Sequence, residues 1–178
     1  MTTLDSRCLE AFPGWLKALA DDAQQLAGLL EDSAASPAAQ RGAAGALTYL
    51  FKSLDLIPDG LEDLGFIDDA FVLRAAAALI DESERDAGGV LARLAGEAAL
   101  ISEFLGADYA RLEQYAAKLA DGSARGRSVA QILEDAAARA DFVHEVRQWA
   151  GGYTAPSFTR DTRSLVKLKS FLATRLPQ

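Results

Sequence analysis

One cysteine and one histidine are all that the chain holds of those two residue types. Cys8 alone permits no intramolecular disulfide and no thiolate metal cluster. Its place in the N-terminal segment, with no base nearby in sequence, suggests a mobile thiol and not a nucleophile. A zinc site or a histidine-based triad would have to be built around His144 alone, which argues against both. There is no Gly-x-Ser-x-Gly elbow and no dinucleotide fingerprint. Arg125 and Arg127 sit in the glycine-flanked stretch GSARGRS at 122–128, which lacks the Lys-Ser/Thr of a phosphate-binding loop. Long apolar runs are missing too. AFVLRAAAALI is interrupted by Arg74 and falls short of the roughly 20 residues that span a bilayer. MTTLDSRCLEAF has no basic region followed by an apolar core, so it does not read as a signal peptide. The expectation is a soluble, cytoplasmic chain with no transmembrane segment.

Basic residues are scarce in one half only. Residues 1–90 carry a net charge of −10 and residues 91–178 a net +2, within a total of −8. An acidic N-terminal half argues against a nucleic-acid partner, because phosphates need a basic footprint. Acidic charge also serves solubility by itself.

What the chain does have is apolar bulk: half of its 178 residues are hydrophobic. Ala and Leu dominate, β-branched residues are few, and no stretch alternates like a strand. The fold class is therefore all-α, a compact bundle of about six to seven helices. Residues 1–36 read as an N-terminal helix on the core, 37–106 as the helical core, and 107–178 as a C-terminal helical extension of the same globule.

Along the chain, Pro13-Gly14 marks the expected start of a first helix running to about residue 32. Ser36 and Pro37 read as N-cap and first turn of a second. The polar stretch 81–89, ending in Gly88-Gly89, is a connector. A helix follows from Val90, and Asp108 is placed to cap the next. Ser128 with Gln131 fits a capping box ahead of one long helix that closes at Gly151-Gly152. YTAPSFT is a linker whose Tyr153 and Phe158 dock on the body. The last helix runs from Asp161 to before Pro177, with Leu165, Leu168, Leu172 and Leu176 inward. Trp15, Trp149, Tyr109 and Tyr115 have no motif around them and read as packing residues.

Everything is organised around LTYLFKSLDLIPDGLEDLGFIDDAFVLRAAAALI at 47–80, a helix, an acidic loop and a helix. Leu47, Leu50, Phe51 and Leu54 share one helical face, and that helix should end near Ser53. Pro58 stops it, while Gly60 and Gly65 let the loop turn. The second helix begins near Ile67. From Asp55 to Asp69 there are six carboxylates and no Lys or Arg. The interleaved Leu56, Ile57, Leu61, Leu64, Phe66 and Ile67 must bury something, so the loop is anchored.

This stretch resembles the YkvA-like family, a bacterial domain of unknown function (DUF1232). The family pattern runs Tyr-Leu, then Pro-x-Asp-x-Ile-Pro-Asp, then Pro-x-x-Gly-x-x-Asp-Asp. Tyr49, Asp55, Ile57, Pro58, Asp59, Gly65, Asp68 and Asp69 match it. Ser53 and Glu62 stand where the family has proline. The resemblance implies a small helical domain and no established chemistry, and many relatives carry membrane-spanning segments.

Two readings of the acids stay open. In the first, Asp59 and Asp68 cap helix ends and Asp55 bonds loop amides. In the second, Asp55, Asp59, Asp68 and Asp69 hold a hard cation, calcium or magnesium, through oxygen ligands alone. The spacing is not that of an EF-hand. The basic C-terminal helix, with Arg160, Arg163, Lys167, Lys169 and Arg175, is either solvated or drawn to an anionic membrane surface or an acidic partner. No catalytic residue stands out. The first functional expectation is a non-catalytic module that binds another macromolecule through an unknown protein partner. The alternatives are a divalent-cation-binding enzyme or sensor, and peripheral membrane association.

Overall fold

The computed structural model of the chain describes residues 1–52, 55–86 and 89–178. The helix end expected near Ser53, the inward Leu54 and the first glycine of Gly88-Gly89 lie outside the described residues. The fold is all-α. Helix α1 (Thr3–Glu31) is followed by α2 (Pro37–Tyr49), α3 (Ile67–Ala78), α4 (Val90–Leu105), α5 (Tyr109–Leu119), α6 (Val129–Glu134), α7 (Ala136–Gly152) and α8 (Thr162–Arg175). Among the described residues, no helix is long and apolar enough to cross a membrane.

Helix α1 starts well before Pro13. Thr2 and Asp5 close a reciprocal capping box, with Asp5 N–H donating to Thr2 Oγ1 at 3.0 Å and Thr2 N–H to Asp5 Oδ2 at 2.9 Å. That device sets the true N-terminus. Pro13 lies inside the helix and forfeits one backbone bond, at a cost of about 3 kcal/mol. Packing overrides it: Cys8, Leu9, Phe12 and Leu16 around it are all buried. Cys8 is therefore a core residue of α1 and not a mobile thiol, and burial raises its pKa to about 11.

The Ser36 cap of α2, the Asp161 cap of α8 and the Ser128–Gln131 capping box of α6 form as their sequences imply. Two expectations fail. Asp108 does not cap α5; it closes a 3-10 turn and pairs with Arg111 at 2.9 Å. The long helix after Ser128 is broken at Asp135, whose carboxylate accepts from Ala137 and Ala138 N–H and restarts the chain as α7. The loop at 122–128 holds the one short antiparallel ladder described, pairing Ser123 with Ser128 and Ala124 with Arg127. Arg125 and Gly126 both have positive φ, 50° and 79°, which suits a two-residue hairpin turn.

Helix α3 is the axis. Every residue from Ile67 to Ala77 is buried, and the helix packs against α1, α2, α4 and α5. Apart from Asp68, Asp69 and Arg74 it is apolar, and a helix apolar on every face belongs inside. One apolar cluster runs from Cys8 to Leu176, and Phe12 at its centre meets Trp15, Phe71, Phe104 and Phe158 at 5.0–6.3 Å.

Candidate functional site

The acidic loop joins α2 to α3. Leu61 N–H donates to Pro58 O at 2.9 Å and Gly65 N–H to Leu61 O at 2.8 Å, folding the loop onto itself. Leu56, Ile57 and Leu64 are buried beneath it. Gly65 is required by close approach: a Cβ there would lie 2.1 Å from the carbonyl oxygen of Asp59. The left-handed positions are not glycines. Asp63 and Phe66 adopt φ of 68° and 65°.

Phe66 occupies the N-cap of α3, and no side chain caps the helix. Asp68 and Asp69 lie in its first turn, where the dipole favours negative charge, but the expected cap by Asp68 does not form. Asp68 braces instead. Its Oδ2 accepts from the Tyr49 hydroxyl at the end of α2 and from Ile57 N–H at 3.1 Å, while Leu56 N–H donates to the same Tyr49 oxygen at 2.8 Å. Tyr49 is fully buried, and one tyrosine thereby ties both limbs of the hairpin to α3.

Bracing does not use up the acids. Asp68 is 0 % exposed and Asp69 2 %, yet among the described residues Asp68 Oδ1 and Asp69 Oδ2 have no hydrogen-bond partner. Burial pushes the Asp68 carboxyl up to about 7, against the pull of the Tyr49 and Ile57 donors. Burial also raises Asp69 well above the usual range, and the charges of Asp68, Asp59 and Asp55 raise it further. Asp55 rises to about 6 through burial and the charge of Asp59, and Asp59 rises through burial. The four acids singled out by their sequence thus share one electrostatic neighbourhood. Tyr115 of α5 and Tyr153 at the end of α7 border it, since the same carboxylates raise both phenols after burial. Among the described residues, no three His, Cys, Asp or Glu side chains are gathered closely enough to encircle an ion as they stand.

A second buried charge set was missed. Arg74, 0 % exposed, donates through Nε to Glu97 at 2.8 Å, through Nη1 to Ala70 O at 3.0 Å and through Nη2 to Asp22 at 3.4 Å. Arg93 closes the set on Asp22 at 2.7 Å, and the Arg74 guanidinium lies 4.3 Å from the centre of the Trp15 ring. The one sequence signal was the lone charge inside AFVLRAAAALI; the partners lie on α1 and α4. Trp15 is buried, while Trp149, Tyr109 and Tyr115 are half-buried against the core, as read.

A small all-α bundle built on a helix, acidic loop and helix is thus the class that the fold and site define. Residues 42–75, from the middle of α2 through the loop into α3, match the family described as "Protein of unknown function (DUF1232)". No curated protein and no solved structure matches the chain.

Proposed function

We propose that the acidic cluster between α2 and α3 binds a hard divalent cation of the magnesium class. The observation that supports this most directly is the pair of buried carboxylate oxygens, Asp68 Oδ1 and Asp69 Oδ2, left without a partner among the described residues. An unpaired buried polar group costs about 1–3 kcal/mol, and more when charged. Ordinary scaffolding would have brought donors to these oxygens. The loop supplies none from side chains, because it has no Lys or Arg between Asp55 and Asp69. A cation supplies what they lack.

The donor set favours magnesium or manganese over calcium. Calcium takes about six to eight oxygens and is served by dedicated cages. Magnesium keeps several of its waters and uses one or two carboxylates. A cluster in which two acids are fixed on a helix and two ride on a neighbouring loop suits the second habit. Asp69 is the natural inner ligand, with Asp55 and Asp59 holding the ion or its waters.

The competing reading, a module that binds another macromolecule, draws less support. Large exposed apolar residues among those described are Met1, Leu79 and Val166, at 82, 43 and 66 %, well apart in the chain. An interaction surface is more often a contiguous apolar patch.

Magnesium titration of the melting temperature tests the proposal. A saturable, chelator-reversible rise is expected, equivalent to about 2.7 kcal/mol at a hundredfold excess over the dissociation constant. Asp69→Asn should abolish it. A flat titration in the wild type would sink the cation reading and return the acids to scaffolding.

A further inference from the structure

Asp63 and Phe66 are the two residues of the acidic loop held in left-handed backbone, a conformation that side chains other than glycine resist. Both are gripped from outside the 42–75 segment, and by the same stretch of chain. Thr159 Oγ1 donates to Asp63 Oδ1 at 2.8 Å. The Phe66 ring meets Tyr153 edge-on at 5.2 Å and Trp149 at 6.3 Å. The grip is itself anchored, because the Tyr153 hydroxyl donates to the Leu16 carbonyl of α1 at 2.7 Å.

The gripped positions frame the cluster. Phe66 is the N-cap of α3, directly ahead of Asp68 and Asp69. Asp63 sits between Asp59 and Gly65, where even an added Cβ would strike the Asp59 carbonyl. A relaxed backbone at either position would turn the loop acids away from the helix acids. Since no three acids yet encircle an ion, their relative placement decides how far the loop must move to close on one.

We infer that the segment from Trp149 to Thr159 positions the acidic loop and so sets the cation affinity of the cluster. The inference rests on the cation reading. Trp149, Tyr153 and Thr159 touch no ion; they are positioning residues that act through Phe66 and Asp63.

The test uses the full chain and manganese alone, with free Mn2+ followed by electron paramagnetic resonance. Thr159→Val keeps the shape and removes the donor, and it should weaken Mn2+ binding about tenfold, as loss of an outer-shell partner does. Asp63→Gly should restore most of that loss in the same background, because glycine holds a left-handed backbone unaided. Asp63→Asn, which keeps an acceptor and tolerates the conformation, measures what the lost charge alone does. Unchanged affinity in Thr159→Val overturns the positioning role while leaving the cation reading standing. Failure of the Asp63→Gly rescue, once corrected for charge, also overturns it. A wild type that binds no Mn2+ overturns both.

Discussion

Helix α3 carries two buried sets of charge less than two turns apart, and they are finished differently. Around Arg74, each charge has a counter-charge: Asp22 from α1, Glu97 and Arg93 from α4, and a Trp15 face for the guanidinium. Around Asp68 and Asp69, the charges felt from the loop are all of one sign, and two oxygens have no partner among the described residues. Arg74 and Asp22 are as deeply buried as Asp68 and Asp69; completion is what differs. A completed set is scaffold, since its members are satisfied by the fold alone. An uncompleted one stores an unfavourable energy that the fold tolerates for some other reason, and functional sites are where such costs collect.

The sharpest way to break the comparison is to delete the arginine. Arg74→Met should destabilise by about 3–5 kcal/mol, because it removes the fully buried partner shared by Asp22 and Glu97 and leaves Arg93 to face both. Urea unfolding measures this. A loss below about 1 kcal/mol would mean that the paired set is no more structural than the unpaired one.

Removing an acid from the other set should have the opposite sign. Without metal, Asp69→Asn is expected to raise stability at pH 8 by about 1–2 kcal/mol, by removing a buried unpaired charge. The pH profile follows from the raised carboxyls. Folding favours their neutral forms, so their contribution is complete below the unfolded value near 3.8. It is lost as pH climbs through about 6 for Asp55 and about 7 for Asp68. The groups facing them are Asp59, Tyr49, Tyr115 and Tyr153, together with the Ile57 amide. The metal-free melting temperature should therefore fall from pH 5 to pH 8, less steeply in Asp69→Asn. A rise over that range in metal-free wild type would contradict the buried-acid assignment.

The smallest effect belongs to exposed charges with no ion pair among the described residues. Arg163 and Lys167 on α8 are exposed. Reversing both to Glu should change stability by no more than about 0.5 kcal/mol. Sedimentation with anionic vesicles checks the remaining alternative: salt-sensitive binding lost on reversal would assign α8 to a membrane surface.

What could be read from sequence was local. Ser36-Pro37, Asp161 and Ser128–Gln131 declare helix ends within one turn of chain, and each forms as declared. Pro13 misled because proline is strong punctuation, yet buried neighbours outvoted it, while the Thr2–Asp5 box went unread. The position of the four acids was legible, but their state was not. Asp68 is held by a hydroxyl 19 residues back, and Arg74 meets Asp22 across 52 residues. Such pairings depend on which helix faces meet, and periodicity does not specify that. The left-handed backbone fell on Asp63 and Phe66 and not on Gly65, because segments far along the chain hold those two in place.

The burial of α3 on every side has a consequence for traffic. Amide protons of a helix sealed by four others exchange with solvent only when much of the molecule opens. The same seal denies an ion any approach through the helix bundle. Pro58, Asp59 and Gly60 are by contrast the exposed crest of the loop, so the amides of Asp59 and Gly60 should exchange early, while the helix behind them keeps still.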